Sequence, residues 1–255
     1  MEQLFTEMKN WMLAYMKSFY NDDTNIQRAI LLKEEHTLKV LAISGELAAA
    51  LQLNEHDTWL AKMLGLFHDI GRFHQFTVYQ TFNDAHSLDH GNLGADYLAG
   101  LPFFQQLSPA DQDVMLFAIR NHNKKDIAPG SPRQVFFAKV LRDSDKLDIY
   151  RVLLPFLTPS DGKGFAPGFL AKFISGEQCD YTKIKTMDDR KLVRLMWVYD
   201  LNFSWTMQKV AERGYVEKII KELPPSQEIK QGCAKLKQYI AAKLQEKLPQ
   251  GAPQE

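Results

Sequence analysis

The residues able to do chemistry are His36, the adjacent pair His68 and Asp69, His90, His122 and Asp145, each near a predicted helix end or on an otherwise apolar helical face. Imidazole and carboxylate are borderline-to-hard donors that suit iron, manganese, zinc, nickel or magnesium, and open sites of this kind leave positions for water and substrate. Thiolate ligation is excluded, because Cys179 and Cys233 are the only cysteines and lie far apart outside any CxxC pattern. An adjacent His and Asp reach one ion only if the backbone turns between them. A helix terminus followed by Gly71 permits that turn, and a carboxylate placed there can bridge two ions. Asp145 interrupts an apolar stripe, where an ionised carboxylate needs a metal or a paired charge such as Arg142.

The elements that must position these groups are all helical. Leu32, His36, Val40, Ile43 and Leu47 share one face of a helix over about 25–53, which aims His36 at the core. A third helix is expected to start at Asp57 as N-cap, to carry Leu60, Leu64 and Phe67, and to end at His68 and Asp69 with Gly71 as its C-terminal turn. The run from Asp89 to Ala99 reads as a short helix closed by Gly100, with His90 in its first turn. Ser108-Pro109 and Ser131-Pro132 open two more helices. His122 ends the first of them, and Phe137, Leu141, Asp145, Ile149 and Val152 form the inward stripe of the second. Pro155 to Gly168 reads as a loop, followed by helices over about 188–223 and 227–248 and a frayed tail. No period-two alternation is present, so the fold class is all-α. The expected organisation is a single domain over 1–255, with a core at about 25–155 and a C-terminal helical extension at about 170–250.

Composition narrows the function classes. The 31 basic and 31 acidic residues cancel, so there is no general field for nucleic acid and any polyanion must be met locally. No segment approaches the roughly 20 apolar residues of a membrane span, and the N-terminus lacks a signal-peptide pattern. With two cysteines, a reducing cytoplasm is the expected location. A homo-oligomer is left open.

At the candidate ligands the sequence resembles the HD superfamily of metal-dependent phosphohydrolases. The matching segments are KEEHTLKV around His36, GLFHDIGRF around His68 and Asp69, and LRDSDKLD around Asp145. DHGNLG and IRNHN resemble the additional histidines of binuclear members, which implies that His90 and His122 hold a second metal with Asp69 between the two. The resemblance spans about Leu31 to Tyr150 and implies an HD helical bundle with two divalent ions of unspecified identity. It implies hydrolysis of a phosphoester, of a nucleotide or another small phosphorylated metabolite, by metal-activated water. IRNHNKK is not followed by the GYP element of cyclic-di-GMP phosphodiesterases, so that substrate is not expected. Two other classes stay open. Some HD-fold proteins with this ligand order are mixed-valence di-iron oxygenases, and a non-catalytic sensor would keep the metal pocket alone.

Around the ligands, Arg72 as a fork and Lys146 as a point charge are expected to orient phosphate. His86 is a candidate proton donor to the leaving group. Asp143 is expected to face away from the stripe, with Asp148 as an outer partner of the site. His56-Asp57 is a second His-Asp pair, read as structural because Asp57 precedes a helix. Met8, Met12 and Met16 with Trp11 and Phe19, like Trp197 and Trp205, read as core or interface.

Overall fold

The computed structural model describes residues 1–160, 162–179 and 181–254, and among them there is no strand. The chain divides into two compact units, Met1–Asp145 with Pro249–Glu255, and Lys146–Leu248. Among the described residues no helix is long and apolar enough to cross a membrane.

In the first unit, α1 (Glu2–Lys17) buries Met8, Met12 and Met16, and its Trp11 packs on Tyr15 and Phe67. α2 (Thr24–Ala50) opens on Asp23, whose carboxylate accepts from the N–H groups of Asn25 and Ile26. α3 (Glu55–Phe67) starts three residues before the expected place. Asn54 supplies the capping oxygen, and Asp57 instead pairs with Arg133 at 2.5 Å from inside the first turn. The α2 and α3 backbones meet at Gly65, where a Cβ would lie 2.6 Å from Ser44 Oγ and 2.9 Å from the Val40 carbonyl oxygen. That approach draws the α2 and α3 ends of the site together.

Gly71 is not a C-terminal turn. It lies inside α4 (Ile70–Tyr79), a helix that the polar character of the following loop concealed. Its missing side chain admits another element: a Cβ there would stand 2.6 Å from the His90 carbonyl oxygen and 3.0 Å from Gly94 N. Thus α5 (His90–Ala99) can seat against α4. α6 (Pro109–Asn121) and α7 (Pro132–Leu153) begin at the two prolines, and Ser108 caps α6. Along α7, Phe137, Leu141 and Asp145 are buried, while Ile149 and Val152 are half-buried. Asp143 does not face solvent: it is fully buried, because α7 is enclosed on every side from Val140 to Asp145. The tail is tied as well, with Gly251 N donating to the Leu51 carbonyl at 2.8 Å.

In the second unit, α8 (Phe169–Ser175) begins directly after the loop expected over Pro155 to Gly168. The helical patterning expected over about 188–223 is divided into α9 (Met187–Met196), α10 (Ser204–Glu212) and α11 (Tyr215–Lys221). A 3₁₀ turn at Trp197–Asp200 and the left-handed Gly214 at φ +63° break it. α12 (Gln227–Leu244) follows. Tyr150 stacks on Tyr215 and meets Trp197 edge-on, and Lys209 lies over Trp205, so both tryptophans are packing residues of this unit.

Candidate metal centre

Four of the candidate ligands are placed by helix termini. His68 and His122 are the C-cap residues of α3 and α6, and each turns its Nδ1 onto the carbonyl three residues earlier. The distances are 2.9 Å to Gly65 O and 2.6 Å to Ile119 O. A carbonyl in the last helical turn has no intrahelical donor, so the imidazole satisfies it and points Nε2 away from the helix. Asp69 stands between the C-cap of α3 and the start of α4, at φ −106°, where the positive helix end favours a carboxylate. His90 is the first residue of α5. His36 and Asp145 come from the interiors of α2 and α7.

These side chains converge on the two oxygens of Asp69. Oδ2 lies 3.6 Å from His36 Nε2 and 3.4 Å from His68 Nε2. Oδ1 lies 3.4 Å from His90 Nε2 and 3.7 Å from His122 Nε2. Asp145 Oδ1 joins the first side, 3.1 Å from His36 Nε2 and 3.7 Å from His68 Nε2. His36, His68 and Asp69 form one group of donor atoms able to hold an ion, and Asp69, His90 and His122 form another. All six residues are buried.

The donor set itself fits cations. His90 Nε2 and His122 Nε2 are 3.0 Å apart, while the Nδ1 of each faces an acceptor, Asp84 Oδ2 at 2.7 Å and Ile119 O. Both protons therefore belong on Nδ1, and two lone pairs point at each other, an arrangement relieved by a cation between them. Residues 34–150 match the HD domain family. That segment holds all six candidate ligands. No curated protein and no solved structure matches the chain. HD domains bind divalent metals, and HD-domain proteins are generally metal-dependent hydrolases.

Charge states at these residues suit metal binding. Burial opposes ionisation of Asp69, but the Lys33 ammonium and the His68 and His122 imidazoles outweigh it and hold the pKa well below the ordinary carboxylate range. Burial likewise opposes ionisation of Asp145, and His36 and His68 overcome it. Burial, reinforced by the Arg72 charge, pushes the His90 imidazole down to about 3, so that ring is neutral at physiological pH.

The surrounding candidates fall in different places. Arg72 Nη1 donates to Gln75 Oε1, the Phe82 carbonyl and Asp84 Oδ1 at 2.6–2.9 Å, so this group holds the loop after α4. Its Nε stands 3.5 Å from Asp69 Oδ1. Lys146 pairs with Asp200 at 2.5 Å within the second unit. His86 is exposed on the 3₁₀ turn Asp84–His86, and among the described residues no hydrogen bond or ion pair joins it to the cluster. Asp148 is buried and pairs with Arg151 at 2.6 Å. His56 meets Asp111 at 3.0 Å, remote from the cluster's donor atoms. Arg142 meets backbone oxygens. It donates to the carbonyls of Asn121 at 3.0 Å, Lys124 at 2.6 Å and Lys125 at 3.0 Å, fixing the chain on both sides of His122.

Three residues escape the sequence reading. Lys33, one turn before His36, puts Nζ 2.6 Å from Asp69 Oδ2 and over the Phe82 ring. Its spacing of three from His36 on a helix was the available signal. Asp84 holds His90 and Asn123 donates to Asp84, and only the three-dimensional return of the loop brings them there.

Proposed function

We infer that the protein hydrolyses a phosphoester of a nucleotide or another small phosphorylated metabolite, using metal-activated water. The observation that carries this reading is the division of Asp69 between two imidazole pairs, one per oxygen. Divalent ions, when bound, supply Lewis acidity that activates water and stabilises charge on phosphoryl oxygens. Asp69 would hold both ions, with His36, His68 and Asp145 on one side and His90 and His122 on the other. Neutral imidazoles and ionised carboxylates give the pair of sites a net positive charge once loaded, suited to a phosphate anion. Lys33, its side chain 16% exposed, supplies a cation at the edge of the cluster. Arg72 contributes by keeping the loop and Asp84 in place rather than as a free fork.

The imidazole-rich donor set also suits iron, which supports a second reading as a di-iron oxygenase. Protein purified without oxygen and loaded with manganese or iron should turn over members of a phosphomonoester and phosphodiester panel, and Asp69→Ala should not. Iron-dependent oxygen consumption without phosphate-ester cleavage would establish the second reading instead. A metal-loaded protein inert in both assays would be a sensor.

A further inference from the structure

Asp84 belongs to neither the ligand pattern nor the charge pairs expected around it. It is half-buried on a turn whose neighbours Asn83, Ala85 and His86 are exposed, and the groups hydrogen-bonded to its carboxylate are donors. Oδ1 accepts from Arg72 Nη1 and Gln75 Nε2, each at 2.9 Å. Oδ2 accepts from His90 Nδ1 at 2.7 Å and from Asn123 Nδ2 at 3.0 Å. Four donors meet two oxygens. An ionised carboxylate satisfies all of them, whereas an amide would turn its NH₂ on two donors whichever way it flipped.

The consequence falls on His90. An imidazole whose Nδ1 faces an obligate acceptor keeps its proton there and presents a lone pair at Nε2, the atom 3.4 Å from Asp69 Oδ1. A carboxylate on the far nitrogen also strengthens the imidazole as a donor. His68 needs no such help, because the Gly65 carbonyl of its own helix holds its Nδ1. The two halves of the cluster thus differ in one anchor: His122, like His68, is held by a carbonyl of its own helix, whereas its partner His90 depends on a side chain on a short surface turn.

We propose that Asp84 is the positioning residue of the His90–His122 half, and that the two ions bind in order, the first on the His36–His68–Asp145 half. The inference rests on the two-ion reading given above. Its failure and the failure of that reading are separable by titrating metal-free wild type, Asp84→Ala and Asp84→Glu with Co²⁺, by calorimetry and elemental analysis. Histidine ¹⁵N spectra of the same metal-free proteins report the His90 tautomer. Wild type should take up two ions and hold His90 as the Nδ1–H form. Asp84→Ala should keep one ion at wild-type affinity, bind the other about 10–100-fold more weakly, and mix the His90 tautomers. Asp84→Glu should recover part of the loss. Asn123→Ala, which removes one donor to the same oxygen, gives a milder variant with a smaller loss on the same ion should Asp84→Ala not fold. Two ions at wild-type affinity in Asp84→Ala, or equal weakening of both, would overturn the proposal and leave the two-ion reading standing. A wild type that takes up a single ion overturns the two-ion reading and the binding order with it.

Discussion

Each of the two units buries ionisable side chains, and they treat them in opposite ways. In the second unit, Lys191 and Asp188 are both fully buried and pair at 3.0 Å; Lys191 also donates to the Glu222 carbonyl at 2.7 Å, and Ser160 donates to Asp188. Donors there meet acceptors. In the first unit, imidazole nitrogens meet imidazole nitrogens at 3.0 and 3.2 Å around a carboxylate. A buried group satisfied from within the chain is explained by folding alone, whereas facing lone pairs call for a cation from outside. Burial by itself therefore does not mark the site. The polarity of what faces the buried group does.

The strongest way to break this contrast is Asp69→Ala, which removes an oxygen from both halves at once. The expected outcome is loss of all bound metal and hydrolysis at background, read by elemental analysis alongside the ester assay. His68→Ala should abolish activity as well. Retention of wild-type metal content by either variant would mean that the facing imidazoles are not ligands.

On the other side of the contrast, Lys191→Met leaves Asp188 buried with an unbalanced charge. Removing one partner of such a pair costs about 3–5 kcal/mol. Chemical denaturation should report that loss, while metal content stays at the wild-type value. A change in metal content with little loss of stability would reverse the assignment of the two units.

Smaller in effect is the difference between metal-free and metal-loaded protein. At a free metal concentration 100 times the dissociation constant, binding stabilises the folded state by about 2.7 kcal/mol. Chelation should lower the melting temperature accordingly, and should do so much less in Asp69→Ala.

How much of this was legible in the sequence follows from which interactions are local. The four helix-terminal candidate ligands were readable because caps, prolines and apolar periodicity are local signals, and Ser108, Pro109 and Pro132 do what their types dictate. Asp57 was misread as a cap because Asn54 is an equally good one three residues earlier, and pairing with Arg133 is a long-range fact. Gly71 was read for its backbone freedom, yet its role is the space it leaves for the His90 carbonyl, which depends on where α5 packs. The hold of Arg142 on the chain around His122 and that of Asp84 on His90 were out of reach for the same reason, since each acts through chain segments remote in sequence. Lys146 sits beside a ligand in sequence and pairs with Asp200, showing that adjacency along a helix does not fix direction.

The smallest expected effect is the sharpest control. His56 and Asp57 repeat the residue types of the His68-Asp69 pair, but His56 is about half-exposed and meets Asp111, a buried carboxylate that also accepts from Ser108 Oγ. A pair with one half-exposed member contributes little, and Ser108 still serves Asp111 without it, so His56→Ala should change stability by no more than about 0.5–1 kcal/mol. Metal content and hydrolysis should match wild type. The two pairs differ in one respect that matters: His68 closes a helix with its Nδ1 on a backbone carbonyl, which aims Nε2 inward, whereas His56 lies in the first turn of α3 with Nε2 on a carboxylate. If His56→Ala lost metal as His68→Ala does, helix-end placement could not be what distinguishes a ligand from its look-alike.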